Sequence, residues 1–211
     1  MIAHHIHHAL AQVQELQKRV LEKQRFKGYS GSARALSGVI ALMGALILDC
    51  GWLPGTIWTH FCGWAAVFAV AVGMNKVAIV YWFLTDPETE RDVRRLRPVL
   101  DLVPTLIAGG ALTLALILRN QFDLLFGVWM VLFGLMNLAV RHAAPRPIAL
   151  VGIYYMACGA ACLLLPGISF QNPWPMGIVF FLGELAGGTI LHYEGMPPVV
   201  FNWLIKKGDE R

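Results

Sequence analysis

Charge is scarce in this sequence. Asp, Glu, Lys and Arg supply only 14% of the 211 residues, where a soluble domain carries roughly 25%. That scarcity excludes an ordinary water-facing globular surface. Cysteine is sparse as well. Cys50, Cys62, Cys158 and Cys162 all fall inside apolar runs and none is spaced as a Cys-x-x-Cys pair, so they read as small buried residues. A Cys50–Cys62 bridge across the first hairpin is conceivable, but nothing in the sequence demands it. No phosphate-binding loop, HExxH, GxGxxG or Ser-His-Asp order appears, and the loops are too short for a soluble catalytic or nucleic-acid domain. A non-enzymatic role is therefore expected. The net charge of +4 suits anionic lipid and calls for no nucleic acid.

Apolar residues are abundant. They reach 57% and collect in runs of membrane-spanning length. The expected fold is an all-α integral membrane protein of six transmembrane helices arranged as three hairpins. The spans fall at about 35–53, 58–84, 99–118, 122–140, 148–165 and 175–193, separated by turn-forming or charged breaks such as "GWLPGT" and "PGISFQNPWP". Lys and Arg set the orientation. With the N-terminus inside, 15 of the 17 fall on the cytoplasmic side, leaving Arg119 outside and Lys76 within a span. This is the positive-inside pattern of a bacterial inner-membrane protein with both termini cytoplasmic.

Three regions follow: 1–34 as a cytoplasmic amphipathic and basic helix with its joint, 35–193 as the bundle, and 194–211 as a cytoplasmic interfacial tail. Some thirty polar and basic residues precede the first apolar run, unlike a cleavable signal. Within residues 4–27, Ile6, Leu10, Val13, Leu16 and Val20 recur at helical spacing, opposite Glu15, Lys18, Arg19 and Glu22. Such a helix can lie on the inner leaflet or pair with another copy. The tail sets Phe201 and Trp203 beside Lys206 and Lys207, an interfacial anchor.

Two charged side chains fall deep within spans. Glu184 stands about eight residues from the inner end of span six, or ~12 Å, and Lys76 about seven from that of span two, or ~10 Å. Both lie on small-residue faces: Gly177, Gly187 and Gly188 beside Glu184, with Gly183 adjacent; Ala65, Ala69 and Gly73 beside Lys76. Such faces let membrane helices approach closely. The expectation is that spans two and six are neighbours and that Glu184 pairs with Lys76. Asn75, Thr105, Tyr154, Tyr155, Asn137 and Asp101 fall at comparable or shallower depth and would extend a polar layer toward the cytoplasm.

Such a layer is either a structural latch or a proton or solute site, since intramembrane ionisable groups mark functional positions. The outer half offers little polarity beyond Asp49, His60, Asp123 and "SFQNPW", which favours the latch. The expected role is an accessory, assembly or stress-related membrane subunit, with a homo-oligomer or a membrane complex as its setting. A small proton-coupled transporter or channel using Glu184 and Lys76 is the alternative.

Histidines offer a second alternative, a haem- or metal-bearing redox subunit. His4 and His8 are one helical turn apart with His7 alongside, a spacing that can hold a divalent metal. His142 and His192 end spans four and six and could share a haem or metal if those ends met. No nearby Cys or carboxylate completes the first site, and interfacial position accounts for the second pair, so no cofactor is expected.

Overall fold

A computed structural model describes residues 28–87 and 96–194. The amphipathic helix expected over 4–27, with His4, His7 and His8, and the tail beyond 194 lie outside the described residues. Every regular element among those described is helical. Six principal helices follow in order: α1 (Gly31–Asp49), α2 (Ile57–Thr85), α3 (Val103–Leu118), α4 (Leu125–Ala139), α5 (Ile148–Leu164) and α6 (Trp174–Glu194). A one-turn helix, Arg97–Leu100, leads into α3. Five apolar segments are long enough to cross a membrane by length and composition: α1, α2, Pro98–Leu118, Phe122–Ala139 and Trp174–Tyr193; α5 is shorter, at 17 residues.

Local chemistry sets the helix ends. The Ser30 hydroxyl accepts from the Ala33 amide and caps α1, and Thr56 caps α2 in the same way through Thr59, each satisfying an amide that has no intrahelical partner. Asn120 ends α3 in the left-handed region, at φ 54°. The Asn120 amide donates to Ile117 and that of Gln121 to Leu116, the paired bonds of a Schellman turn that reverses the chain into α4.

Glycines decide which helices pack together. A side chain at Gly188 would strike the Gly31 carbonyl oxygen, at Gly38 the Phe181 carbonyl, and at Gly177 the Ala45 methyl. Helices α1 and α6 therefore run against each other along most of α1. Similar close approaches join α4 to α5, where Gly127 meets Gly159 and Gly134 meets Gly152. Helix α2 packs on α1 through Val67 against Gly44 and Leu48 against Gly63, and Asn75 Nδ2 donates to Ser37 Oγ at 2.8 Å. Helix α3 leans on α4, where Trp129 Nε1 donates to Thr113 Oγ1 at 2.9 Å.

The expected neighbourhood of spans two and six is thus corrected. The partner of α6 is α1, because glycines on both helices admit backbone-to-backbone contact. Gly73, read as a packing glycine, has no atom within 4 Å of where a Cβ would stand.

The main apolar core lies at the end remote from Tyr29 and Tyr193. Leu48, Trp64, Phe122, Phe126, Met130 and Phe170 are buried there together, with the Phe126 and Phe170 rings 4.8 Å apart. Three polar groups at this end serve as loop ties, while the Nδ1 of buried His60 has no hydrogen-bond partner among the described residues. Asp123 Oδ1 accepts from the Phe170 amide, Asp49 Oδ2 from Trp174 Nε1, and the Gly55 carbonyl from Gln171 Nε2.

Candidate functional site: an Arg34–Glu184 pair shared by four helices

The opposite end holds the polar cluster. Glu184 projects from the middle of α6 and is 5% exposed. Its cation comes from α1. Arg34 Nη2 lies 3.0 Å from Glu184 Oε1, and Arg34 Nε donates to the same oxygen at 3.2 Å. Lys76, the partner expected from depth and face, is exposed on α2 and forms no ion pair or hydrogen bond among the described residues. The Glu184–Lys76 pairing is therefore replaced by Glu184–Arg34.

Two features bring Arg34 to this place. Capping by Ser30 starts α1 at Gly31, so Arg34 lies in the first helical turns and not in a cytoplasmic joint. The glycines of α6 then leave room for it, since a Cβ at Gly187 would overlap its guanidinium. A cation near a helix N-terminus opposes the helix dipole, and the Glu184 carboxylate offsets that cost.

The remaining helices close the site. Tyr155 of α5 is fully buried and donates its hydroxyl to Glu184 Oε1 at 3.1 Å. Asn137 of α4 accepts from Arg34 Nη2 at 2.7 Å, while its own Nδ2 donates to the Phe133 carbonyl at 2.8 Å. One oxygen of Glu184 thus collects bonds from two helices, and Arg34 reaches a third. Gly183 leaves room for Tyr155, since a Cβ there would overlap the hydroxyl end of its ring. Removing the hydroxyl with Tyr155→Phe deletes one donor to a charged acceptor but leaves the ion pair. The expected cost is ~1.5 kcal/mol, measured by reversible unfolding in detergent.

The other residues of the expected polar layer are dispersed. Tyr154 donates to the Val179 carbonyl at 3.2 Å, away from Glu184. Asn75 serves the α1–α2 contact. Thr105 is half-buried and Asp101 exposed, and neither reaches the pair. Tyr29 lies nearby at the start of α1. Burial pushes its phenol up to about 12, with Arg34 opposing the rise and Asp101 adding to it.

His192 is exposed and stacks edge-on with Tyr193 at 6.0 Å, while His142 ends a short 3-10 turn. Among the described residues no group of three or more His, Cys, Asp or Glu side chains is placed to hold a metal ion. All four cysteines are free, Cys50 and Cys62 included. Arg34 is the residue that sequence reasoning missed. Its signal was the serine pair in "GYSGSAR", a helix-capping signature that moves the start of the first helix upstream.

The architecture defines an all-helical bundle of long apolar helices fastened at one end by a shared ion pair. Compared with models of known families, with curated proteins and with solved structures, the chain matches none.

Proposed function

We propose that this chain is a polytopic protein of a bacterial inner membrane, crossing it six times with both termini cytoplasmic. We further propose that it acts without catalysis, as an accessory, assembly or stress-related membrane subunit. The observation that carries this reading is the set of bonds converging on Glu184 Oε1. Arg34 and Tyr155 bond one oxygen of the carboxylate and Asn137 holds Arg34, so three further helices meet at the pair, and a charge held this way suits a fixed joint better than a site that must exchange protons. Long apolar helices with Lys and Arg gathered on one side support the topology. Lys76 stands apart from Glu184, so the two do not form the coupled acid–base pair that the transport alternative requires.

Alkaline carbonate extraction and thiol labelling test the topology. The chain is expected to remain in the membrane pellet. A membrane-impermeant maleimide added to whole cells should label native Cys50 and fail to label the chain carrying Cys50→Ser with His192→Cys. Release by carbonate would overturn the membrane assignment, and reversed labelling would overturn the orientation. For the role, proteoliposomes under an imposed pH gradient should show no proton flux. A flux abolished by Glu184→Gln would overturn the latch in favour of transport.

A further inference from the structure

Two of the six helices are hardly covered. In α2 only 6% of the apolar window is buried, and in Pro98–Leu118 none, against 33–39% in the other long apolar segments. Lipid can cover such a surface, but it does not account for the side chains found there. On α2, Ala65, Ala69 and Gly73 form an exposed small-residue strip that ends in Lys76. On α3, Ala108, Ala111 and Ala115 form another, approached from below by exposed Asp101. Each strip could admit a close helix neighbour, and each carries one charge of opposite sign with no ion pair among the described residues.

The two charges also share a level. The Trp58 and Phe122 rings touch, with centroids 5.8 Å apart, which aligns the far end of α2 with the turn that follows α3. From those ends Lys76 is ~28 Å down α2, while α3 descends ~24 Å to Val103 and Asp101 lies two residues beyond, in the turn that precedes it. A two-fold axis along the bundle would set α2 of one copy against α3 of another, twice, in antiparallel contact. The surface is then self-complementary, as a closed symmetric dimer requires. We propose that two copies of this chain associate through α2 and α3, with Lys76 of each copy paired to Asp101 of the other. Pairing α2 with its own symmetry mate would instead bring two lysines together, which costs energy.

This inference rests on reading the helices as membrane spans, and the carbonate extraction above tests that separately. A chain that stays in the membrane as a monomer defeats only the dimer. The native Cys62 is exposed on α2 and lies at nearly the same level as Ala115 on α3. In membranes of the Cys50→Ser, Cys158→Ala, Cys162→Ala chain carrying Ala115→Cys, mild oxidation should link most chains into a dimer. Omitting Ala115→Cys should abolish that dimer.

The charges are tested by exchange. Lys76→Asp and Asp101→Lys are each expected to lower the dimer fraction about tenfold, and the double exchange to restore it to within about threefold. Subunit counting by photobleaching in bilayers reads this directly. Monomers throughout, whether the face is covered by lipid or by a different protein, would overturn the proposal. A dimer indifferent to both single exchanges would overturn the pairing.

Discussion

Replacing Arg34 with Met is expected to remove ~3–5 kcal/mol of stability, because the Glu184 carboxylate is then left buried beside Tyr155 without its cation. Glu184→Leu should cost a similar amount by stranding the guanidinium between α1, α4 and α6. Combining Arg34→Met with Glu184→Leu removes both charges and should recover much of the loss, since a buried ion pair contributes little net stability over a packed apolar pair. Unfolding in mixed micelles, read by tryptophan fluorescence, measures all three variants. A double variant no more stable than the worse single one would refute the pairing. Lys76→Met is the control. Lys76 is exposed on α2, so it should alter monomer stability by less than ~0.5 kcal/mol. A large loss there would revive the Lys76 pairing at the expense of Arg34.

The second large effect is steric. At Gly188 an added Cβ would lie 2.6 Å from the Gly31 carbonyl oxygen and 2.9 Å from the Ala35 amide nitrogen. Backbone atoms cannot swing aside as a side chain can, so Gly188→Val must push α1 away from α6 along its first turns. Overpacking alone costs ~3 kcal/mol at the upper end of its usual range, and the separation also lengthens the Arg34–Glu184 contact. The expected result is loss of most folded protein in an expression and size-exclusion assay. Gly73→Val, where a Cβ meets nothing within 4 Å, should leave the monomer intact. Equal yields from the two variants would contradict the α1–α6 packing.

Helix positions were largely legible in the sequence, because apolar runs separated by proline, glycine and charge leave few other places for a helix to end. The expected span at 58–84 and the observed Ile57–Thr85 differ by a residue at each end. Neighbour choice was less legible. A small-residue face such as Ala65–Ala69–Gly73 looks the same in sequence whether it meets a helix of its own chain or faces outward. Charge told a similar story. Arg34 sits among many basic residues and reads in sequence as one of the cytoplasmic cluster, although its serine cap places it inside a helix. Lys76, isolated in an apolar run, drew the pairing that belongs to Arg34. Depth alone singles out Tyr155 and Asn137 in the sequence, and their bonds to Glu184 and Arg34 depend on helix rotations that sequence spacing fixes only loosely.

The unequal helix lengths carry a further consequence for the surrounding lipid. Helix α2 has 29 residues and α5 has 17, or ~43 Å against ~25 Å of rise, while the hydrocarbon layer of a bilayer is ~30 Å thick. The two helices are not packed together: α2 lies on α1, and α5 between α4 and α6. If all six helices span a membrane as proposed, one flank is too tall for it and another too short, so the long flank would tilt or protrude and the short flank would draw the leaflets together. The protein would act as a wedge of thickness. It would favour neighbours and lipid chains of different lengths on its different sides, independently of any charge it carries.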